Sequence, residues 1–111
     1  MAIQSSVFDE RIRQHRNLLL LLAGKYVWWL TAEEAMEYPS RVIAQVMNIG
    51  VFDDVARLLN AIGEDGFRVV LRRAEAGQFN GMSWHYWHYR LGLAQPNQVP
   101  PLPIRHIPVT S

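Results

Sequence analysis

The stretch that decides the fold is residues 51–62, VFDDVARLLNAI, which carries the clearest helical pattern in the chain. At 100° per residue, one side of this segment collects the apolar residues Val51, Phe52, Val55, Leu58, Leu59 and Ile62. The opposite side collects the polar residues Asp53, Asp54, Arg57 and Asn60. This division predicts an amphipathic helix packed against a core, with both aspartates facing solvent.

The segments on either side of this stretch are also predicted to be helical. A helix from Pro39 to Ile49 precedes it, because proline suits a first helical turn and Gly50 then stops the helix. A helix over residues 64–76 follows Gly63. It has acids in its first turn and arginines near its end, as the helix dipole favours.

The N-terminal third adds two further helices. Thr31 and Glu34 have the spacing of a capping box, which predicts a short helix from Ala32 to about Glu37. A first helix is predicted from about Ser6 to Ala23. Its five consecutive leucines, residues 18–22, cover every direction around the axis, so some can meet the core and some a partner.

The C-terminal part combines a helix with a proline-rich tail. The last helix is expected to start after Ser83 and to run to about Leu91, with Gly92 closing it. Five of the six prolines lie between residues 96 and 108, and proline cannot join a helix interior. We therefore predict an all-α fold, a small bundle of about five helices over residues 1–95, followed by an extended tail over 96–111.

Apolar residues are interleaved with the prolines of this tail, namely Val99, Leu102, Ile104 and Ile107. Such side chains need an apolar surface to cover them. We expect them to line a groove on another chain, and to contribute more to assembly than to the stability of the helical domain.

Composition excludes several classes of function. The chain has 111 residues, a net charge of +1 and no cysteine, which removes disulfides, thiolate nucleophiles and thiolate metal sites. His85 and His88 have a spacing that can hold a metal, but no third ligand lies at a useful offset. No nucleophile elbow and no glycine-rich phosphate loop occurs. We expect no catalytic residues, metal or cofactor, and a small enzyme is the weakest hypothesis.

The densest apolar stretch, Leu18 to Ala23, is far shorter than the roughly 20 residues that a membrane span needs. A signal peptide is disfavoured, because Asp9 and Glu10 precede this stretch and Lys25 follows it. We therefore expect a soluble, cytoplasmic protein without a membrane partner.

The densest functional signal is residues 83–93, SWHYWHYRLGL. On a helix, one side gathers Trp84, Trp87, His88 and Leu91, and the opposite side gathers Tyr86, Tyr89, Arg90 and Leu93. If the first side fills the core, the second becomes a surface of residue types enriched at protein–protein hot spots. The alternative is a central helix buried on both sides.

A small basic patch formed by Arg68, Arg72 and Arg73 suggests a second function, a helix-turn-helix DNA-binding regulator. The N-terminal part of the recognition helix would carry Glu64 and Asp65, which repel phosphates. DNA binding is therefore expected to be weak or absent.

Three segments together resemble a known family: residues 38–50, YPSRVIAQVMNIG, then Asp53-Asp54-Val55, then residues 83–91, SWHYWHYRL. The family consists of small bacterial helical proteins encoded beside nucleotidyltransferase toxins of the abortive-infection type. The resemblance covers about residues 27–93. It implies a cytoplasmic antitoxin or accessory protein that binds and restrains the neighbouring toxin and has no chemistry of its own. The transferase motif, a Gly-Ser turn followed by Asp-x-Asp, is absent. A homo-oligomer is also possible on this interpretation.

Overall fold

The computed structural model describes residues 2–104, and the side chains of residues 7–104. Its helices are α1 (Ala2–Gln14), α2 (Arg16–Tyr26), α3 (Ala32–Ala35), α4 (Pro39–Ile49), α5 (Phe52–Arg72) and α6 (Gly81–Arg90). No strand occurs among the described residues, so the predicted all-α class is confirmed there. The number of helices is six rather than about five. None of these described helices has the length and apolar character required to cross a membrane.

The extra helix comes from a break in the first predicted helix, which we expected to be continuous from Ser6 to Ala23. The break lies at His15, whose φ of −111° and ψ of 27° are not helical. It lets the two halves pack on different elements, α1 on α5 and α2 on α4. Phe8 in α1 and Leu19 in α2 are consequently both buried. The continuous helix was wrong because helical periodicity alone does not show where the chain must bend around a core.

A sharp kink divides α5 at Gly63, where φ is 83° and ψ is 163°. This confirms the predicted separation of residues 51–62 from the following helix, which ends at Arg72 rather than at Ala76. The kink leaves the Ile62 carbonyl without its helical partner, and Arg11 Nη1 donates to it at 2.7 Å. The Arg11 guanidinium also fills the space that a Cβ at position 63 would need. Only glycine suits this position on both counts.

Helix α4 is the centre of the bundle, because α2, α3, α5 and α6 all pack against it. Its buried residues are Val42, Ile43, Ala44, Val46 and Met47. Around them the core is completed by Leu19, Leu22, Leu58, Ile62, Phe67, Val70, Trp84, Trp87 and Leu91. The rings of Phe67 and Trp87 meet edge to face with centroids 5.1 Å apart, which joins α5 to α6.

The described part of the tail covers this chain's own core. Val99 and Leu102 are partly buried against the core. The Trp84 indole donates to the Pro100 carbonyl at 2.7 Å. Ile104 is exposed, and Ile107 lies outside the described residues. Two of the four apolar tail residues therefore do not need another chain to cover them.

Candidate protein-binding groove

Helix α6 is held in place by the side chains of its inner face, which pack into the core. It begins at Gly81, three residues before the expected start at Trp84, because the Asn80 side chain accepts a hydrogen bond from the Ser83 amide at 2.8 Å. The four residues predicted to face the core, Trp84, Trp87, His88 and Leu91, are all buried. The Trp87 indole donates to the Met47 carbonyl at 2.9 Å, and His88 Nδ1 lies 2.7 Å from the Trp84 carbonyl.

The outer face of α6 has no such cover. Met82, Tyr86 and Tyr89 are exposed, with exposed fractions of 86%, 55% and 45%. The alternative that α6 is buried on both sides is therefore excluded by the structure. A helix with an apolar outer face presents contact area that the fold itself does not use.

This outer face forms one wall of a groove of about 530 Å³. The other wall is the first half of α5. The lining residues are Met47, Asn48, Gly50, Phe52, Val55, Ala56, Leu59, Met82, Ser83, Tyr86, Trp87 and Arg90. Phe52 stands at the rim with 83% of its surface exposed. The groove is therefore mainly apolar and is bordered by large exposed side chains.

A buried polar network sets the position of the α5 wall. Tyr26 donates through its hydroxyl to Asp54 Oδ2 at 2.6 Å, and Lys25 Nζ approaches the same oxygen at 2.6 Å. The Tyr26 hydroxyl in turn accepts from the Val51 amide at 3.0 Å. The expectation that Asp54 faces solvent was wrong: it is 8% exposed, and Lys25 and Tyr26 at the end of α2 contact its carboxylate. The network anchors the first turn of α5 and so places Phe52 at the groove.

The charges in this network support one another. Hydrogen bonds from Lys25 and then Tyr26 hold the pKa of the Asp54 carboxyl below its ordinary value. The hydrogen bond to Asp54 raises the pKa of Lys25. Burial, followed by the hydrogen bond to Asp54, raises the pKa of the Tyr26 hydroxyl. At neutral pH the site therefore holds a carboxylate, an ammonium and a neutral phenol.

Next to Arg90, which lines the groove, bonds join the C-terminal end of α6 to the second half of α5. Arg90 Nη1 lies 3.0 Å from Glu64 Oε2, and Arg68 Nε donates to the Leu91 carbonyl at 2.9 Å. The hydrogen bond from Arg90 lowers the pKa of Glu64, and the pKa of Arg90 is raised in return. These contacts fix the two walls relative to each other at one end.

The structure separates the four residues that sequence reasoning assigned to a partner surface. Tyr86 and Arg90 line the groove. Tyr89 is exposed but lies outside the groove lining, with its ring centroid 6.4 Å from that of His85. Leu93 lies beyond the end of α6 and packs, partly buried, against the core.

The three arginines of the possible DNA-binding patch have different surroundings. Arg68 is held by Asp65 at 2.7 Å and Glu64 at 3.3 Å. Arg72 is exposed beside a separate small cavity between α1 and α5. The Arg73 guanidinium lies 5.8 Å from the centre of the Phe8 ring. DNA binding through these residues stays a prediction.

The histidine and carboxylate side chains that could bind a metal ion are dispersed over the described part of the chain. No group of three His, Cys, Asp or Glu residues there could share a metal ion. His85 Nδ1 lies 2.8 Å from the Gly81 carbonyl, and His88 is buried. The two histidines therefore have separate local partners.

Of the groove residues, only Tyr86 and Arg90 were predicted, and the most exposed ones, Phe52 and Met82, were missed. Phe52 was grouped with the core side of its helix, and Met82 lay before the expected start of α6. Helical periodicity gives no signal that separates an exposed apolar residue at a helix start from a buried one.

Comparisons of the chain with protein-family models, curated proteins and solved structures gave no match. The resemblance to toxin-associated helical proteins stays a prediction.

Proposed function

We propose that this chain is a non-catalytic protein-binding module that holds its partner in the α5–α6 groove. The observation that carries the proposal is the clustering of Phe52, Met82 and Tyr86, all more than half exposed, around one apolar concavity. Large exposed apolar patches of this kind mark interaction sites, and buried aromatic anchors contribute most of the binding energy at such sites.

The shape of the groove suits an amphipathic helix. On α6, Met82, Tyr86 and Arg90 recur every four residues along the wall, a span of roughly 12 Å or about two helical turns. On α5, Phe52, Val55 and Leu59 repeat in the same way. Two rows of side chains on either side of an apolar concavity can receive the apolar face of a third helix.

The partner we propose is the nucleotidyltransferase toxin encoded beside this chain, which the family resemblance implies. On this proposal the chain is a cytoplasmic antitoxin or accessory protein that restrains the toxin by occupying one of its helices. The helical domain carries the groove, and the described part of the tail packs on the core of that domain. The chain needs no catalytic residue for this role.

Co-purification with the product of the adjacent gene tests the proposal. Phe52→Ala and Tyr86→Ala should each weaken the complex by about tenfold or more, while circular dichroism stays unchanged. Tyr89→Ala is the matched control, because this tyrosine is exposed on the same helix but outside the groove lining. Equal losses from Tyr89→Ala and Tyr86→Ala, or a complex insensitive to all three changes, would contradict the proposed groove.

A further inference from the structure

A second cavity, of about 340 Å³, lies between the α2–α3 connection, α4 and the loop after α5. It shares no lining residue with the α5–α6 groove. Its floor includes the buried residues Val27, Ala35 and Val42. Its size is within the range of small-molecule sites, which combine an apolar lining with a few polar groups.

One edge of this cavity carries a fixed guanidinium plane. Arg41 Nε and Nη2 bond to the two carboxylate oxygens of Glu75 at 2.9 and 3.2 Å. The guanidinium carbon lies 4.3 Å from the centre of the Tyr38 ring. The two bonds and the aromatic face favour this orientation of the guanidinium, although both charged side chains are about half exposed.

The loop that supplies Glu75 is also fixed. The Glu75 amide donates to Gln78 Oε1 at 2.9 Å, and Gln78 Nε2 donates to Glu75 Oε1 at 3.0 Å. These exposed hydrogen bonds connect Arg41, Glu75 and Gln78 along one edge of the cavity.

Two lining groups are left for a ligand. Trp29 is about half exposed, with its indole at the cavity. Gln45 is half-buried in the lining, and its amide makes no hydrogen bond to any residue of the described chain. A glutamine amide presents a donor and an acceptor side by side, which matches the edge of a heterocyclic base. Trp29 and the Arg41 plane are surfaces of the kind on which bases stack.

We propose that this cavity binds the base of a nucleoside or nucleotide. The base stacks on Trp29 and pairs through its edge with Gln45, and the sugar points out through the open rim. This site is independent of the proposed protein-binding groove, and its test uses the isolated chain.

The probes are the four ribonucleosides, titrated into the full chain and followed by NMR of the tryptophan indole and glutamine amide N–H groups. At least one nucleoside should bind saturably and shift the signals of Trp29 and Gln45. Trp29→Leu should weaken binding by about tenfold, the size expected for loss of one stacked base. Trp28→Phe is the control, because Trp28 does not line the cavity and phenylalanine keeps an aromatic ring against Trp29, whose ring centroid lies 5.6 Å from that of Trp28. It should change affinity by less than about threefold.

Gln45→Met keeps the length of the side chain and removes its hydrogen-bonding groups, so it should weaken binding by about 2–10-fold. Three results would each overturn the proposal: no saturable shift with any nucleoside, equal losses from the two tryptophan variants, or no effect of Gln45→Met. A fourth is tighter binding of N-acetylphenylalaninamide with the same variant pattern, which would assign the cavity to a peptide side chain.

Discussion

On the two helices that line the groove, neighbouring residues of similar chemistry differ in burial, because one lies on the inner face and the other on the outer face. On α6, Trp87 is buried and its indole is hydrogen-bonded, whereas the adjacent Tyr86 is exposed. On α5, Asp54 is buried in a network with Lys25 and Tyr26, whereas the adjacent Asp53 faces solvent. The faces differ because adjacent helical residues point about 100° apart. Stability and binding are therefore carried by different residues, and neighbouring variants can separate them.

The largest difference in stability is expected between alanine variants of Trp87 and Tyr86. Trp87→Ala should destabilise the fold by about 3–5 kcal/mol, because it removes a buried ring, its contact with Phe67 and its bond to Met47. Tyr86→Ala should cost less than about 1 kcal/mol, since its side chain is more than half exposed. Urea unfolding of both variants measures the difference. Similar losses would show that the outer face also supports the fold.

The tail extends the inner face, so its removal should also be destabilising. Truncation after Gln95 removes the carbonyl that accepts from Trp84 and the apolar cover of Val99 and Leu102. We expect a loss of about 1–3 kcal/mol, measured by thermal and denaturant unfolding of a demonstrated monomer. This replaces the expectation from composition that the tail contributes little to stability.

A matched pair refines the truncation result. Leu102→Ser changes a half-buried residue, and Ile104→Ser changes one that is 84% exposed. Only the first should lower the melting temperature. Equal effects would place the contribution of the tail elsewhere than in its contact with the core.

The next largest difference in stability is expected between asparagine variants of the adjacent residues Asp53 and Asp54. Asp54→Asn removes the charge that binds Lys25 and should lower the melting temperature at pH 7, whereas Asp53→Asn should leave it almost unchanged. Because the folded-state pKa of Asp54 is depressed, its stabilising contribution is present above the ordinary aspartate pKa of about 3.9. That contribution is lost as the pH falls through the lower folded-state value.

Melting curves collected across this acidic range are the measurement. The wild-type chain and Asp53→Asn should lose stability there more steeply than Asp54→Asn. If all three curves ran parallel, the Lys25–Asp54 pair would not contribute to the acid sensitivity of the fold.

The smallest effect on stability is expected for the Arg90–Glu64 ion pair beside the groove. Arg90 and Glu64 are both more than a third exposed, so solvent and salt screen their attraction. Arg90→Ala, Glu64→Ala and the double variant should show a small coupling that disappears at high salt. A large coupling that persists at high salt would instead show that this ion pair contributes strongly to holding α6 against α5.

Several elements could be predicted from sequence because their signals are local. The Thr31–Glu34 capping box forms with both reciprocal hydrogen bonds. The inner face of α6 was assigned correctly, since aromatic residues at three- and four-residue spacing share one side of a helix. Tyr86 and Arg90 were named from this same pattern, and both line the groove.

The predictions that were wrong concern features that depend on contacts between distant segments of the chain. The break at His15 depends on where α1 and α2 meet their neighbours. The burial of Asp54 depends on Lys25 and Tyr26, more than 25 residues away. Neither contact leaves a periodic signal in its own segment.

The helical class, the bounds of α4, the capped start of α3 and the apolar side of each amphipathic helix could be read from local sequence signals. Those properties follow from caps, glycines, prolines and periodicity within one or two turns. Which apolar residues remain exposed and where the helices bend depends instead on contacts between distant segments. Phe52 and Leu58 share an apolar side, yet α4 and its neighbours cover only Leu58. The groove is created by the space left between packed helices, and that space is a property of their arrangement in three dimensions.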